Sequence, residues 1–241
     1  MIGRLALITV GLLAASAPPT IGFWRRYGRR AGSRFAVGAG ATILAQQSLV
    51  GTAASRKGAR LTPVDAMTLS RGLAAAVLVG LVVSGVRDRR GLAGWLGWVS
   101  LVYGSIVCDW LDGPIARRLG MTSELGALLD LESDSWLTLT AASSATTWGG
   151  LPALCMAAPL ARYALLAAAL RKISYARVFA DEPAWARPLG IAQMALFTAA
   201  TAPFGGPGTR AAVRLAAPII APAQLLGMFF LYRRSQRRFA T

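Results

Sequence analysis

Apolar runs of about 20 residues recur along this chain, each long enough to cross a bilayer as a helix. Short Arg-bearing stretches interrupt them. The pattern predicts six helices, over about 63–86, 91–112, 123–146, 150–171, 187–204 and 209–232. Gly149-Gly150 and Gly205-Gly206-Pro207-Gly208 mark tight turns after the third and fifth. Pro114 is expected to bend or end the second, because it lacks an N–H and crowds the preceding turn. No strand-like alternation interrupts the apolar runs, and such runs exclude a β-barrel. The expected fold class is an all-α integral membrane protein. A six-transmembrane-helix core over residues 61–235 follows an extension over 1–60, and a basic tail covers 236–241.

The extension holds one or two apolar segments. Residues 5–23 are apolar enough to span. They end like a signal peptide in Ala15-Ser16-Ala17, but Pro18 argues against cleavage there. Residues 35–54 are weaker, with Gln46, Gln47, Ser48 and several glycines. If both segments crossed, Arg25, Arg26, Arg29, Arg30 and Arg34 would land outside. That favours one extra span, then an interfacial or re-entrant segment on the cytoplasmic face.

Composition supports the membrane reading. The chain is 55% hydrophobic and 15% charged, with a mean hydropathy of +0.50. A disordered chain would be less apolar and a soluble domain more charged. The 26 Lys+Arg against 10 Asp+Glu give a net charge of +16, which on a soluble chain would point to nucleic acid. Here the cations sort by loop. One side carries Arg56, Lys57, Arg60, Arg117, Arg118, Arg171, Lys172, Arg177, Arg187 and the tail arginines, and the other far fewer. The richer side is cytoplasmic by the positive-inside rule, so the charge reports topology and nucleic acid is not an expected partner. Trp95, Trp98 and Trp148 fall near the outer interface and Trp110 and Trp185 near the cytoplasmic one, as aromatic belts do. Cys108 and Cys155 lie in apolar runs and read as core residues. With no histidine and no CxxC pair, a metal would take oxygen ligands, which favours magnesium, manganese or calcium.

The acids are unevenly placed. Six of the ten (Asp109, Asp112, Glu124, Asp130, Glu132 and Asp134) fall between positions 109 and 134. Asp109 and Asp112 are three apart at the cytoplasmic end of the second helix. Asp130 and Asp134 are four apart near the start of the third. Each pair shares a helical face, and the short connection lets the faces meet. Four carboxylates converging partly within a membrane are prohibitive unless neutralised, and one or two divalent cations would do so. Pairing with Arg117 and Arg118 is the plainer alternative. Gly113 and Gly126 allow close approach of a backbone or ligand, or equally of a neighbouring helix. Glu132 is offset from the Asp130–Asp134 face and is not expected to be a ligand.

These residues form the pattern Asp109-Trp-Leu-Asp112-Gly113-Pro-Ile-Ala116-Arg117, eight residues, Gly126, three residues, Asp130, three residues, Asp134. It resembles the signature of the CDP-alcohol phosphotransferases at all eight fixed positions. Leu61-Thr-Pro63-Val-Asp65-Ala-Met-Thr68-Leu-Ser-Arg71 is similar to the segment opening that family's first helix, with Asp65 where Asn is usual. The likeness extends over about residues 60–235. It implies a membrane enzyme of phospholipid biosynthesis that moves the phosphatidyl group of CDP-diacylglycerol, or a related CDP-lipid, to a small alcohol and releases CMP. A homodimer in a bacterial plasma membrane, with the site facing the cytoplasm, is the implied setting. Asp109, Asp112, Asp130 and Asp134 would hold Mg2+ or Mn2+, and Asp134 would also serve as the general base. Asp109, Asp112, Gly113, Ala116, Arg117 and Gly126 would bind the nucleotide.

The acceptor is legible only faintly. Arg162 lies deep in the fourth helix and needs an anionic partner. With Lys172, Arg177 and Arg187 it could bind an acceptor phosphate, such as that of glycerol 3-phosphate or inositol phosphate. Alternatively, Arg162 pairs with the aspartates and the other three are loop charge. Two rival functions remain: a cation transporter using the aspartates, which should show internal repeats not seen here, and a non-catalytic family member.

Overall fold

The computed structural model describes residues 2–57, 65–86, 91–121, 124–163 and 185–238. Among them there is no strand; the chain is helical, as expected. The first five helices are α1 (Ile2–Tyr27), α2 (Arg29–Lys57), α3 (Asp65–Val83), α4 (Leu92–Arg118) and α5 (Glu124–Gly149). A 3₁₀ turn follows over Ala153–Met156, then helical residues 157–163, a helix Ala186–Thr201 and a long helix Pro207–Arg238. Among the described residues two helices are long and apolar enough to cross a membrane, Leu7–Tyr27 and Leu92–Arg118; Thr68–Val83 and Pro188–Thr201 are shorter apolar helices. The chain divides into two compact units, residues 1–140 and 141–241, with α5 running from one into the other.

In the first unit α1 and α2 form a helical hairpin. It turns at Gly28, whose φ of +86° suits a residue without a Cβ. The turn is tied by the Gly28 N–H donating to the Trp24 carbonyl at 3.0 Å and the Gly32 N–H to the Gly28 carbonyl at 3.1 Å. The rings of Phe23 and Phe35 stack across the hairpin at 4.9 Å. Residues 35–54 lie within one continuous helix packed along α3. The reason is visible in the buried positions: Phe35, Gly38, Ala39, Thr42, Ile43, Gln46 and Gln47 recur every three or four residues. Such a stripe of mixed apolar, small and polar side chains has low hydropathy but a well-defined packing face. A Cβ on Gly80 would come 2.9 Å from the Phe35 carbonyl oxygen, and one on Gly38 3.2 Å from the Gly80 Cα. Gly72 faces the Gln46 side chain farther along, so α2 and α3 run antiparallel with glycines at their closest approach.

Helix α4 shows two faces. Trp98, Val102, Ser105 and Asp112 are buried along one helical face, at i, i+4, i+7 and i+14, while Leu92, Leu96, Tyr103, Val107, Trp110 and Leu111 are exposed. An apolar outer face opposite a partly polar inner one is the arrangement expected of a helix in lipid. Trp98 is therefore inside the protein at 1% exposure, not in an aromatic belt, whereas Trp110 and Trp185 are exposed. Pro114 does not end the helix. It removes one hydrogen bond, that to Trp110, but α4 continues to Arg118. The end comes at Gly120, with φ +63°, where the Met121 N–H reaches back to the Ala116 carbonyl at 2.9 Å.

In the second unit the expected glycine turns are present: Gly150 has φ +66° and Gly205 φ +122°. A Cβ at Gly149 would lie 2.6 Å from the Ala200 carbonyl oxygen, so the end of α5 touches the helix Ala186–Thr201 backbone to backbone. Both cysteines are free, Cys155 buried and Cys108 half-buried.

Candidate metal centre

Continuation of α4 through Pro114 has a direct consequence for the site. Asp109, Asp112, Gly113 and Ala116 are at i, i+3, i+4 and i+7, so one helical face carries both carboxylates and both small residues. On α5, Gly126, Asp130 and Asp134 recur every four residues along a second face. Asp109, Asp112 and Asp130 come together: one ligand oxygen from each lies within 4.8 Å of the others. Among the described residues this is the group of acids able to share a cation. Its members grade outward. The side chain of Asp112 is 9% exposed, Asp109 35% and Asp130 47%, so the cluster is anchored at one end and open at the other.

Helix α3 supplies what the two acidic helices lack. Arg71, 2% exposed, places its Nη1 at 2.7 Å from Asp109 Oδ1, 2.5 Å from Asp130 Oδ1 and 3.4 Å from Asp112 Oδ2. One turn earlier the Thr68 hydroxyl donates to Asp112 Oδ2 at 3.4 Å. The Ser133 hydroxyl on α5 in turn donates to the Thr68 carbonyl at 3.2 Å. Three helices are thus joined at one level by polar contacts inside an apolar unit. Asp134 interacts electrostatically with both Arg71 and Asp109 but lies outside the close trio.

Asp109, Asp112 and Asp130 are brought together as their spacing predicts, with Asp134 near. Gly113 and Ala116 are half-buried beside them, and Gly126 is half-buried on α5. Arg117 is exposed, with its Nη1 3.4 Å from the position a Cβ on Gly113 would take. Glu132 is buried and outside the trio. Arg162 is half-buried in the second unit, and Arg187 opens a helix there. Lys172 and Arg177 lie outside the described residues. Sequence reasoning gave no role to Thr68 and Arg71. The available signal was an arginine inside the otherwise uncharged stretch from Ala66 to Val83, on one face with a threonine three residues earlier.

The donor set fits a hard divalent cation. All its ligand atoms are carboxylate oxygens, the donors that Mg2+, Mn2+ and Ca2+ prefer. Three ionised carboxylates and one guanidinium leave two negative charges, which one divalent ion would balance.

A family model described as CDP-alcohol phosphatidyltransferase matches residues 61–229, more than half of the chain. It begins just before α3 and leaves out α1 and α2. No curated protein and no solved structure matches the chain.

Proposed function

The chain belongs to the CDP-alcohol phosphatidyltransferase family, and from that premise we propose that it transfers a phosphatidyl group from CDP-diacylglycerol to a small phosphorylated alcohol. The observation that carries the reading is the convergence of Asp109, Asp112 and Asp130 on one point inside apolar helices. Three crowded carboxylates, one of them on a buried aspartate, are costly without a cationic ligand. Asp109, Asp112 and Asp130 would hold Mg2+ or Mn2+, with Asp134 as a further ligand. The bound ion supplies neutralisation of the pyrophosphate oxygens and of the departing CMP.

The remaining work falls to the protein. The acceptor hydroxyl oxygen attacks the phosphatidyl phosphorus. The bond from that phosphorus to the CMP oxygen breaks, and CMP leaves with the electron pair. Asp134, one turn beyond Asp130, accepts the hydroxyl proton. Gly113, Ala116 and Gly126 keep the two helical faces low, leaving room for cytidine, and Arg117 pairs with its phosphate. A site between membrane helices lets the acyl chains stay in lipid during the reaction. The protein acts as a multi-pass homodimer in a bacterial plasma membrane, with the site open to the cytoplasm. Arg162, Lys172, Arg177 and Arg187 hold the acceptor phosphate, of glycerol 3-phosphate or inositol phosphate.

The test is CMP release from CDP-diacylglycerol in detergent, with Mg2+ or Mn2+ and a panel of acceptors. Phosphorylated alcohols should support turnover, and Asp134→Asn should reduce it by about a hundredfold or more. A folded, metal-binding preparation that turns over no acceptor would sink the enzyme assignment. Retained turnover in Asp134→Asn would remove that residue as the base. Arg162→Ala should raise KM for a phosphorylated acceptor by about tenfold or more and spare a neutral one; equal effects on both would make Arg162 structural.

A further inference from the structure

Arg71 makes an unusual set of contacts. A guanidinium offers five N–H donors in a planar fork and normally meets a carboxylate through two of them. Here one nitrogen, Nη1, reaches all three aspartates, at 2.5, 2.7 and 3.4 Å. Nε and Nη2 are buried and, among the described residues, without a hydrogen-bond partner. The guanidinium therefore acts as a point charge set amid three converging carboxylates. That position is the one a cation held by the same carboxylates would take.

We propose that Arg71 is a built-in counter-cation that competes with the divalent ion for Asp109, Asp112 and Asp130, and so sets how tightly the centre binds metal. The proposal rests on the reading of the trio as a metal centre. Two consequences follow from charge. With Arg71 in place the three carboxylates do not repel one another unopposed, so the helices stay assembled without metal. With Arg71 neutralised, an incoming divalent ion meets one more unit of negative charge and no competitor, and binds more tightly. The idle Nε and Nη2 donors give the displaced guanidinium a further use, pairing with an anionic oxygen brought by the ligand.

The experiment measures Mn2+ binding by electron paramagnetic resonance, and thermal unfolding with and without Mn2+. It compares the full chain in detergent with Arg71→Gln, Arg71→Lys and Asp112→Asn. Arg71→Gln should bind Mn2+ about tenfold or more tightly than the parent. It should melt lower without the ion and gain more on its addition. Arg71→Lys keeps the charge and should stay close to the parent in affinity, which a packing role for the guanidinium would not produce. Unchanged or weaker Mn2+ binding in Arg71→Gln, with binding still lost in Asp112→Asn, overturns the counter-cation role and leaves the metal centre standing. Binding by none of the four overturns both. If Arg71→Gln does not fold, the lysine variant decides. Its single ammonium cannot fork between the aspartates and the ligand, so affinity within about threefold of the parent supports a charge role, and a larger change in either direction contradicts it.

Discussion

Helices α4 and α5 and the hairpin of α1 and α2 are built to opposite rules. The first pair carries carboxylates on facing sides at fixed spacing, with small residues beside them, and α4 turns apolar side chains outward. Among the described residues, the buried positions of the hairpin carry no ionisable group. Its closest approach to α3 is made by Gly38 against Gly80 and Val83, and by Phe35 against Gly80. In the acidic pair the residue types are dictated by chemistry, since a carboxylate at the wrong turn of helix cannot reach the trio. In the hairpin they are dictated by volume, and many sequences would serve. The family match follows the same division, covering α4 and α5 and stopping short of α1 and α2.

The contrast predicts opposite responses to substitution. Asp130→Asn, which keeps shape and removes charge, should cut phosphatidyl transfer by about a thousandfold. Helix content by circular dichroism should be unchanged. Large loss of structure instead would mean that the aspartate serves the fold. Gly38→Leu should do the reverse. Its added side chain has to displace the Gly80 backbone and Val83, at a cost of about 1–3 kcal/mol. The melting temperature should fall, while turnover per folded molecule stays close to the parent. The smallest effect belongs to the outer face of α4, where Leu96→Ala should change stability by no more than about 0.5 kcal/mol. A large loss there would show that this face is covered by another chain.

The same contrast explains what could be read from the sequence. The α4 and α5 aspartates were legible because helical periodicity alone brings positions 109 and 112, and positions 130 and 134, onto common faces. The glycine turns at 150 and 205 were legible because each needs positive φ. The packing of α2 against α3 was not, because its buried face is made of small and polar residues that a hydropathy window scores as weak. The run of α4 past Pro114 was not, because one missing hydrogen bond does not decide a helix held by the faces around it. Arg71 was not, because its partners lie 38 to 59 residues away and no local pattern joins an arginine to aspartates at that distance.

The central claim is that Asp109, Asp112 and Asp130 form the metal centre of phosphatidyl transfer. Its most direct test is CMP release from CDP-diacylglycerol measured against Mn2+ concentration, in the parent and in Asp130→Asn. The account predicts release that is absent in chelator, saturates with Mn2+, and disappears in the variant across the same range. Release that persists in chelator, or that Asp130→Asn leaves intact, would contradict it.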